Sequence, residues 1–184
     1  MEGLIAGAGI GGLTAALALH RMGWDVEVFE RATTLSQVGA GVQISPNGAR
    51  VLHALGLADR FETATLRAQA VVLRDGFDGR EVLRMGLPHQ SMSEPGFHLT
   101  HRADLIAILA QAARDADVNI QLLQHVSSVE IDRDGTPILR MINGAQIRCD
   151  MLIGADGLHS PTRRAVQSFT PAQPFFTGQV AWRM

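Results

Sequence analysis

The chain has 184 residues, 46% of them hydrophobic, a formal net charge of −2 and a single cysteine, Cys149. That length allows one good-sized domain, or one domain and part of another, with ample apolar content for a core, and the near-neutral balance draws it neither to nucleic acid nor to an anionic membrane surface. All 16 basic residues are arginines and tyrosine is absent, so a P-loop lysine, a Schiff base and a tyrosine acid or base are excluded, while a lone cysteine cannot close an intrachain disulfide and fits a cytoplasmic protein.

The first apolar run, residues 3–6, reads as a strand. Gly7, Gly9 and Gly12 follow, and Leu13, Ala16, Leu17 and His20 then recur at helical spacing up to a stop at Gly23. The apolar stretch 4–19 lacks a positive flank, is interrupted by glycines and runs into a second strand at 26–29, so neither a signal peptide nor a membrane span is expected. Residues 31–48 read as a long loop. Ser45 as N-cap and Pro46 at the first helical position start a helix through Leu55, stopped by Gly56, and a short helix follows over 57–63. Residues 70–73 and 81–85, joined through Asp75, Gly76, Asp78 and Gly79, predict an antiparallel hairpin. Thr100 is expected to cap a helix whose Leu105, Ile106, Leu109, Ala112 and Ala113 form one apolar stripe. Strands are expected at 118–123, 126–131 and 138–142, joined in part by the turns Asp134-Gly135 and Asn143-Gly144. A short strand over 151–154 precedes a second serine–proline helix start at Ser160 and Pro161.

Strand, three glycines, helix, second strand and the acidic Glu30 fall in the order of a dinucleotide-binding βαβ unit. The first glycine makes the tight turn, the second lets the backbone approach a pyrophosphate, and the third lets helix and strand pack closely. The phosphates then meet the free N–H groups and the positive dipole end of a helix. Glu30, at a strand's carboxyl end, can accept hydrogen bonds from an adenosine ribose and would repel the extra phosphate of NADP. The fingerprint serves NAD and FAD alike. A second glycine site at 151–164 sets Asp156, Gly157, Arg163 and Arg164 at another strand's carboxyl end, where open α/β sheets bind ligands. His98 and His101 lack a third ligand at suitable spacing, so no metal is assigned. There is neither a nucleophile elbow nor a cysteine–histidine pairing, and no catalytic residue is assigned.

GAGIGG at 7–12, VFER at 28–31, GAGVQISPN at 39–47, HRADL at 101–105, GADGLHS at 154–160 and GQVAWR at 178–183 together resemble the flavin-dependent single-component aromatic hydroxylases, the group that includes salicylate and hydroxybenzoate hydroxylases. The resemblance covers nearly the whole chain. It implies an α/β, three-layer, Rossmann-like FAD-binding domain in two parts, 1–67 and 100–170, with antiparallel strands of a substrate domain inserted at 68–99 and a further piece of that domain at 171–184. It implies FAD contacts at Gly7, Gly9, Gly12, Glu30 and Arg31, with Gln43 near the flavin, Arg102 facing the pyrophosphate or ribityl chain, Val126 offering backbone atoms to the adenine, and Asp156 and Gly157 bordering the pyrophosphate. It also implies NADH or NADPH as electron donor, O2 as oxidant and a small phenolic or carboxylated aromatic substrate, and is compatible with a homo-oligomer. Members of the group continue with more substrate-sheet strands and a GDAAH-like segment with no counterpart here. The chain is therefore expected to be an N-terminal part that binds FAD weakly and turns over little or nothing by itself. Two other readings compete: a non-catalytic nucleotide-binding fragment with an exposed sheet edge, and an NAD-linked dehydrogenase, which the antiparallel character of 68–85 disfavours.

Overall fold

The computed structural model describes residues 1–35, 41–87, 95–167 and 174–180, and its backbone divides into two units, Met1–Gln37 with Leu109–Met184, and Val38–Ile108. The first unit opens with β1 (Glu2–Ala6), exposed only at Glu2, as a strand inside a parallel sheet must be on both faces. α1 (Ile10–Arg21) buries Gly12, Leu13, Ala16 and Leu17, and the small Gly12 and Ala16 let it lie close on the sheet. It ends where Gly23 takes φ 84°, with His20 and Arg21 in a last turn that favours cations. β2 (Asp25–Phe29) pairs in parallel with β1, Ala6 opposite Phe29.

The second unit contains β3 (Gly41–Ile44), α2 (Pro46–Ala54), α3 (Ala58–Thr63), β4 (Leu66–Arg67), the antiparallel pair β5 (Ala70–Arg74) and β6 (Glu81–Gly86), and β7 (His98–His101), which leads into α4 (Arg102–Asp115). Two expectations are corrected here. The loop predicted for 31–48 holds β3, and Thr100 is no helix cap: it lies within β7, opposite Val42 of β3. β7 is the central strand of the antiparallel sheet β3–β7–β4, and at Thr100 it pairs with β3, a partner remote in sequence. That competing use outweighs the local capping preference of threonine. Ser45 does occupy the N-cap of α2, but its side chain makes no capping hydrogen bond. The hairpin is present as expected, with Val71, Leu73, Val82, Leu83 and Met85 exposed. The apolar stripe of α4 is also present: Leu105, Ile106, Leu109, Ala112 and Ala113 are all buried.

Back in the first unit come β8 (Asn119–Gln121), β9 (Val126–Ile131), β10 (Pro137–Met141), β11 (Gln146–Arg148), β12 (Met151–Gly154) and α5 (Pro161–Val166). The strand predicted over 118–123 shortens to β8, because Leu123 turns to φ 60°, a conformation that interrupts any strand. β12, β1, β2 and β8 form a parallel sheet in that order, and β11, β10 and β9 an antiparallel one. A side chain at Gly3 would meet Leu19 of α1 at 3.6 Å, so one face of β1 looks toward α1. On the opposite face Leu4, Ala6 and Phe29 share a core with Val126, Leu139, Met141 and Cys149. Helix, parallel sheet and antiparallel sheet thus make three layers, a Rossmann-like α/β arrangement. Among the described residues no helix is long and apolar enough to cross a membrane.

Candidate functional site

The three fingerprint glycines have different physical reasons to be glycine. Gly7 takes φ 103°, and a Cβ there would press into the carbonyl of Ala155; its N–H donates to the Phe29 carbonyl at 2.7 Å. A Cβ at Gly12 would collide with the Gly7 carbonyl oxygen. Both are demanded by the fold itself. Gly9, the N-cap of α1, has φ −75° and ψ −175°, extended backbone open to any residue, and among the described residues no atom lies within 4 Å of a Cβ placed there. The fold has no need of glycine at this position. What its missing side chain preserves is open space at the start of a helix whose first turn carries no acidic residue to offset its dipole.

Glu30 follows the last residue of β2 and turns back toward this loop. Its Oε2 accepts the Ala8 N–H at 2.8 Å, and its Oε1 accepts the Ala32 N–H at 2.9 Å. A carboxylate offers about four acceptor positions, so two stay available. The Glu30 backbone is fixed as well, its N–H donating to Gln121 and its carbonyl accepting from Gln124, both at 2.9 Å. Arg31 beside it is exposed. Val126, at the start of β9, is buried against the core cluster that includes Ala6 and Phe29.

The loop between β12 and α5 meets the glycine loop. The Oδ2 of Asp156 accepts from the Thr162 N–H at 3.1 Å and the Thr162 hydroxyl at 2.8 Å, while Ser160 caps α5 as expected, accepting the Arg163 N–H at 2.8 Å. Gly154 makes room for this arrangement, since a Cβ there would lie 2.7 Å from Thr162. The other Asp156 oxygen, Oδ1, is buried without a hydrogen-bond partner among the described residues. Such an atom is costly unless something else supplies a donor. Gly157 takes φ 79° and faces open space. A cavity of about 670 Å³ runs along β12 and α5, with Gly11, Asp156, Gly157 and Arg163 on its wall.

In the second unit, Gln43 is an exposed residue of β3 opposite Leu99. Arg102, the first residue of α4, has its Nε buried without a partner among the described residues. A cation in a helix's first turn opposes the dipole, which Asp104 in the same turn offsets, so the unpartnered Nε is what a nearby anion would satisfy. The structure therefore brings Gly7, Gly9, Gly12, Glu30, Asp156 and Gly157 to one end of the parallel sheet in the first unit, and sets Gln43 and Arg102 on the β3–β7–α4 segment of the second. Sequence reasoning missed the Ala8 amide and Thr162. The Asp-Gly-x-x-Ser-x-Thr order could have signalled Thr162, whereas the Ala8 contact has no signal in its side chain. Cys149 is buried in the core, where loss of water raises its thiol pKa and Asp150 and Glu2 raise it further, the reverse of what a nucleophile needs. Among the described residues no group of three side chains could hold a metal ion.

Residues 1–177 match a protein family described as FAD binding domain. The chain is similar to the 3-amino-4-hydroxybenzoate 2-monooxygenase of Streptomyces cremeus, with 40% identity over 169 residues, 91% of this chain and 42% of the relative. It is also similar to the 3-hydroxybenzoate 6-hydroxylase of Polaromonas naphthalenivorans (strain CJ2), 32% identical over 184 residues, 98% of this chain and 45% of the relative. Among solved structures it resembles the tetrameric form of 2-methyl-3-hydroxypyridine-5-carboxylic acid oxygenase, with a TM-score of 0.75 and 28% identity, covering 90% of this chain and 42% of that one. The chain spans less than half the length of these proteins.

Proposed function

Because this chain belongs to the family of FAD binding domains, we propose that it is the cofactor-holding part of an FAD-dependent monooxygenase, one that hydroxylates a small phenolic or carboxylated aromatic ring with NADH or NADPH and O2. The observation that carries the cofactor assignment is Gly9, a glycine the fold does not require, bordering open space at the N-terminus of a helix whose own first turn carries no acidic residue. The unpaired Asp156 Oδ1 and Arg102 Nε fit the same group: one awaits a hydroxyl donor, the other an anionic acceptor, and FAD carries both chemistries. In this reading the amides at the start of α1 hold the pyrophosphate, and the spare lone pairs of Glu30 take an adenosine ribose hydroxyl. Asp156 and Gly157 border the pyrophosphate, and Val126 gives backbone atoms to the adenine. Arg31 flanks the ribose, while Gln43 and Arg102 serve the flavin and its ribityl chain.

When bound, the flavin supplies the electron transfer between reduced pyridine nucleotide and O2 that ring hydroxylation needs. The residues of this chain bind and orient it, so that the reactive ring is held rather than searching. The aromatic substrate class is supported by the names of both hydroxybenzoate relatives. Self-association into a homo-oligomer is supported by the tetrameric oxygenase, and a cytoplasmic location by the single buried cysteine. The division into cofactor segments 1–67 and 100–170 and substrate-side segments 68–99 and 171–184 draws support from the β5–β6 ribbon, which stands outside the βαβ pattern.

The test is a titration with FAD followed by graft. The purified protein should bind FAD and perturb its visible absorption, while the 184 residues by themselves turn over little or nothing. Grafted in place of the matching segment of the Streptomyces cremeus enzyme, they should support consumption of reduced pyridine nucleotide and hydroxylation of an aminohydroxybenzoate. Binding of NAD in preference to FAD, or a grafted enzyme that holds flavin yet never forms product, would contradict the proposal.

A further inference from the structure

Within the second unit, polar side chains from three elements converge on one carboxylate oxygen. His98 of β7 is completely buried. Its Nδ1 lies 2.7 Å from the Thr65 hydroxyl, and its ring packs on Phe61 of α3 with centroids 4.7 Å apart. Its Nε2 is 3.5 Å from Glu62 Oε1, and the Nε2 of His53, from α2, is 3.3 Å from the same oxygen. Yet none of these three buried atoms makes a hydrogen bond of good geometry among the described residues. What holds the His98 ring is the Thr65 hydroxyl and the Phe61 face.

The titratable or charged groups facing His98 are Glu62 from α3, His53 from α2 and Arg67 from β4, while β3, the other strand paired with β7, carries none. A proton on His98 enters a dry site, and the Glu62 carboxylate 3.5 Å away offsets that cost only in part, with Arg67 opposing the added charge. Burial above all holds the pKa of His98 below its ordinary value.

We infer that buried His98, hydrogen-bonded to Thr65 and packed on Phe61, is an acid-sensitive brace, which with a neutral imidazole ties α3 to the β3–β7–β4 sheet, and which on protonation loosens the strands that carry Gln43 and lead into Arg102, so that acidification releases the dinucleotide without titrating any group that touches it. The release step rests on the proposed roles of Gln43 and Arg102; the brace itself does not. Its pH window follows from the direction of the shift. The unfolded chain takes the His98 proton near pH 6.5 and the folded chain only at lower pH, so the stabilisation is complete above about pH 6.5 and is lost as pH falls toward the folded value. Each proton bound in excess by the unfolded state changes the unfolding equilibrium about tenfold per pH unit, a midpoint shift of roughly 3–5 °C for a chain of this size.

Thermal unfolding of the protein without cofactor, between about pH 7.5 and about pH 5 across the imidazole range, should show that fall. The double variant H98F/T65V keeps the ring packing on Phe61 and leaves no stranded hydroxyl, and its midpoint should stay flat over the same range. NMR titration of the His98 ring in the unaltered protein gives the same answer independently of how the variant folds: it should titrate below the ordinary imidazole value of about 6.5. FAD affinity should fall with acid in the unaltered protein and hold steady in H98F/T65V. An acid loss of stability that survives in the double variant, or a His98 ring titrating at or above about pH 6.5, overturns the brace. Absence of FAD binding at every pH overturns instead the cofactor reading.

Discussion

Replacing Gly9 by alanine adds one methyl group where, among the described residues, no atom lies within 4 Å, on backbone at φ −75° and ψ −175° that alanine adopts freely. Less freedom in the unfolded chain stabilises by about 0.4–1 kcal/mol, and alanine is a poorer N-cap than glycine by a comparable amount. The two terms nearly cancel, leaving the melting midpoint within about 2 °C. FAD binding should respond quite differently. The methyl occupies the approach to the helix amides, and loss of one hydrogen bond to a charged phosphate, about 1.5–3 kcal/mol, weakens Kd roughly 10- to 150-fold. Gly12→Ala supplies the contrast: its methyl collides with the Gly7 carbonyl and comes to 3.3 Å of Ala155 Cβ, so backbone must shift at about 1–3 kcal/mol or more. Thermal melts without FAD, paired with quenching of flavin fluorescence on binding, read both quantities for both variants. If Gly9→Ala binds FAD as tightly as the unaltered protein, or melts as low as Gly12→Ala, the separation of fold-required from ligand-required glycines is wrong.

Glu30→Ala strands the Ala8 and Ala32 amides and should both lower stability by about 1–2 kcal/mol and weaken FAD, measured by the same melts and titrations. Ser160→Ala removes the cap of α5 and should cost about 1 kcal/mol in urea unfolding with FAD affinity unchanged; a matching loss of affinity would mean that the cap also shapes the ligand site. Cys149, buried and with its thiol pushed up, should react with a disulfide reagent only through opening of the fold, at a rate that climbs with added urea. Rapid labelling of the native protein would contradict its place in the core.

The parts of the fold that were legible in the sequence are those whose physical demand falls on one residue. Gly7 and Gly23 were readable because their backbone angles favour glycine, and the Ser160–Pro161 helix start because a cap and a fixed φ act locally. β3 and β7 were not, since neither GVQI nor HLTH is a continuous apolar run, and each is stabilised by the other across two helices and a hairpin. Thr100 misled for the same reason: its local preference for a cap yields to its pairing with Val42 of β3. Leu123 ends β8 at a positive φ that nothing in a leucine announces. At the site, the glycines and Glu30 stand out in the sequence, but the hydrogen bond between the glycine loop and Glu30 does not, because the donor is the amide of Ala8 and its side chain is silent about it. The Asp156–Thr162 pairing joins residues on either side of a turn and became visible only once Gly154 brought α5 against β12.

The most direct measurement is amide NMR of the protein recorded with and without FAD. If the dinucleotide rests its pyrophosphate on the first turn of α1, the amides of residues 9–12 should show the largest shifts and gain protection from exchange, with the Ala8 amide held by Glu30 moving less. If those amides stay where they were while FAD perturbs residues elsewhere, the site is not at the start of α1 and the account fails at its centre.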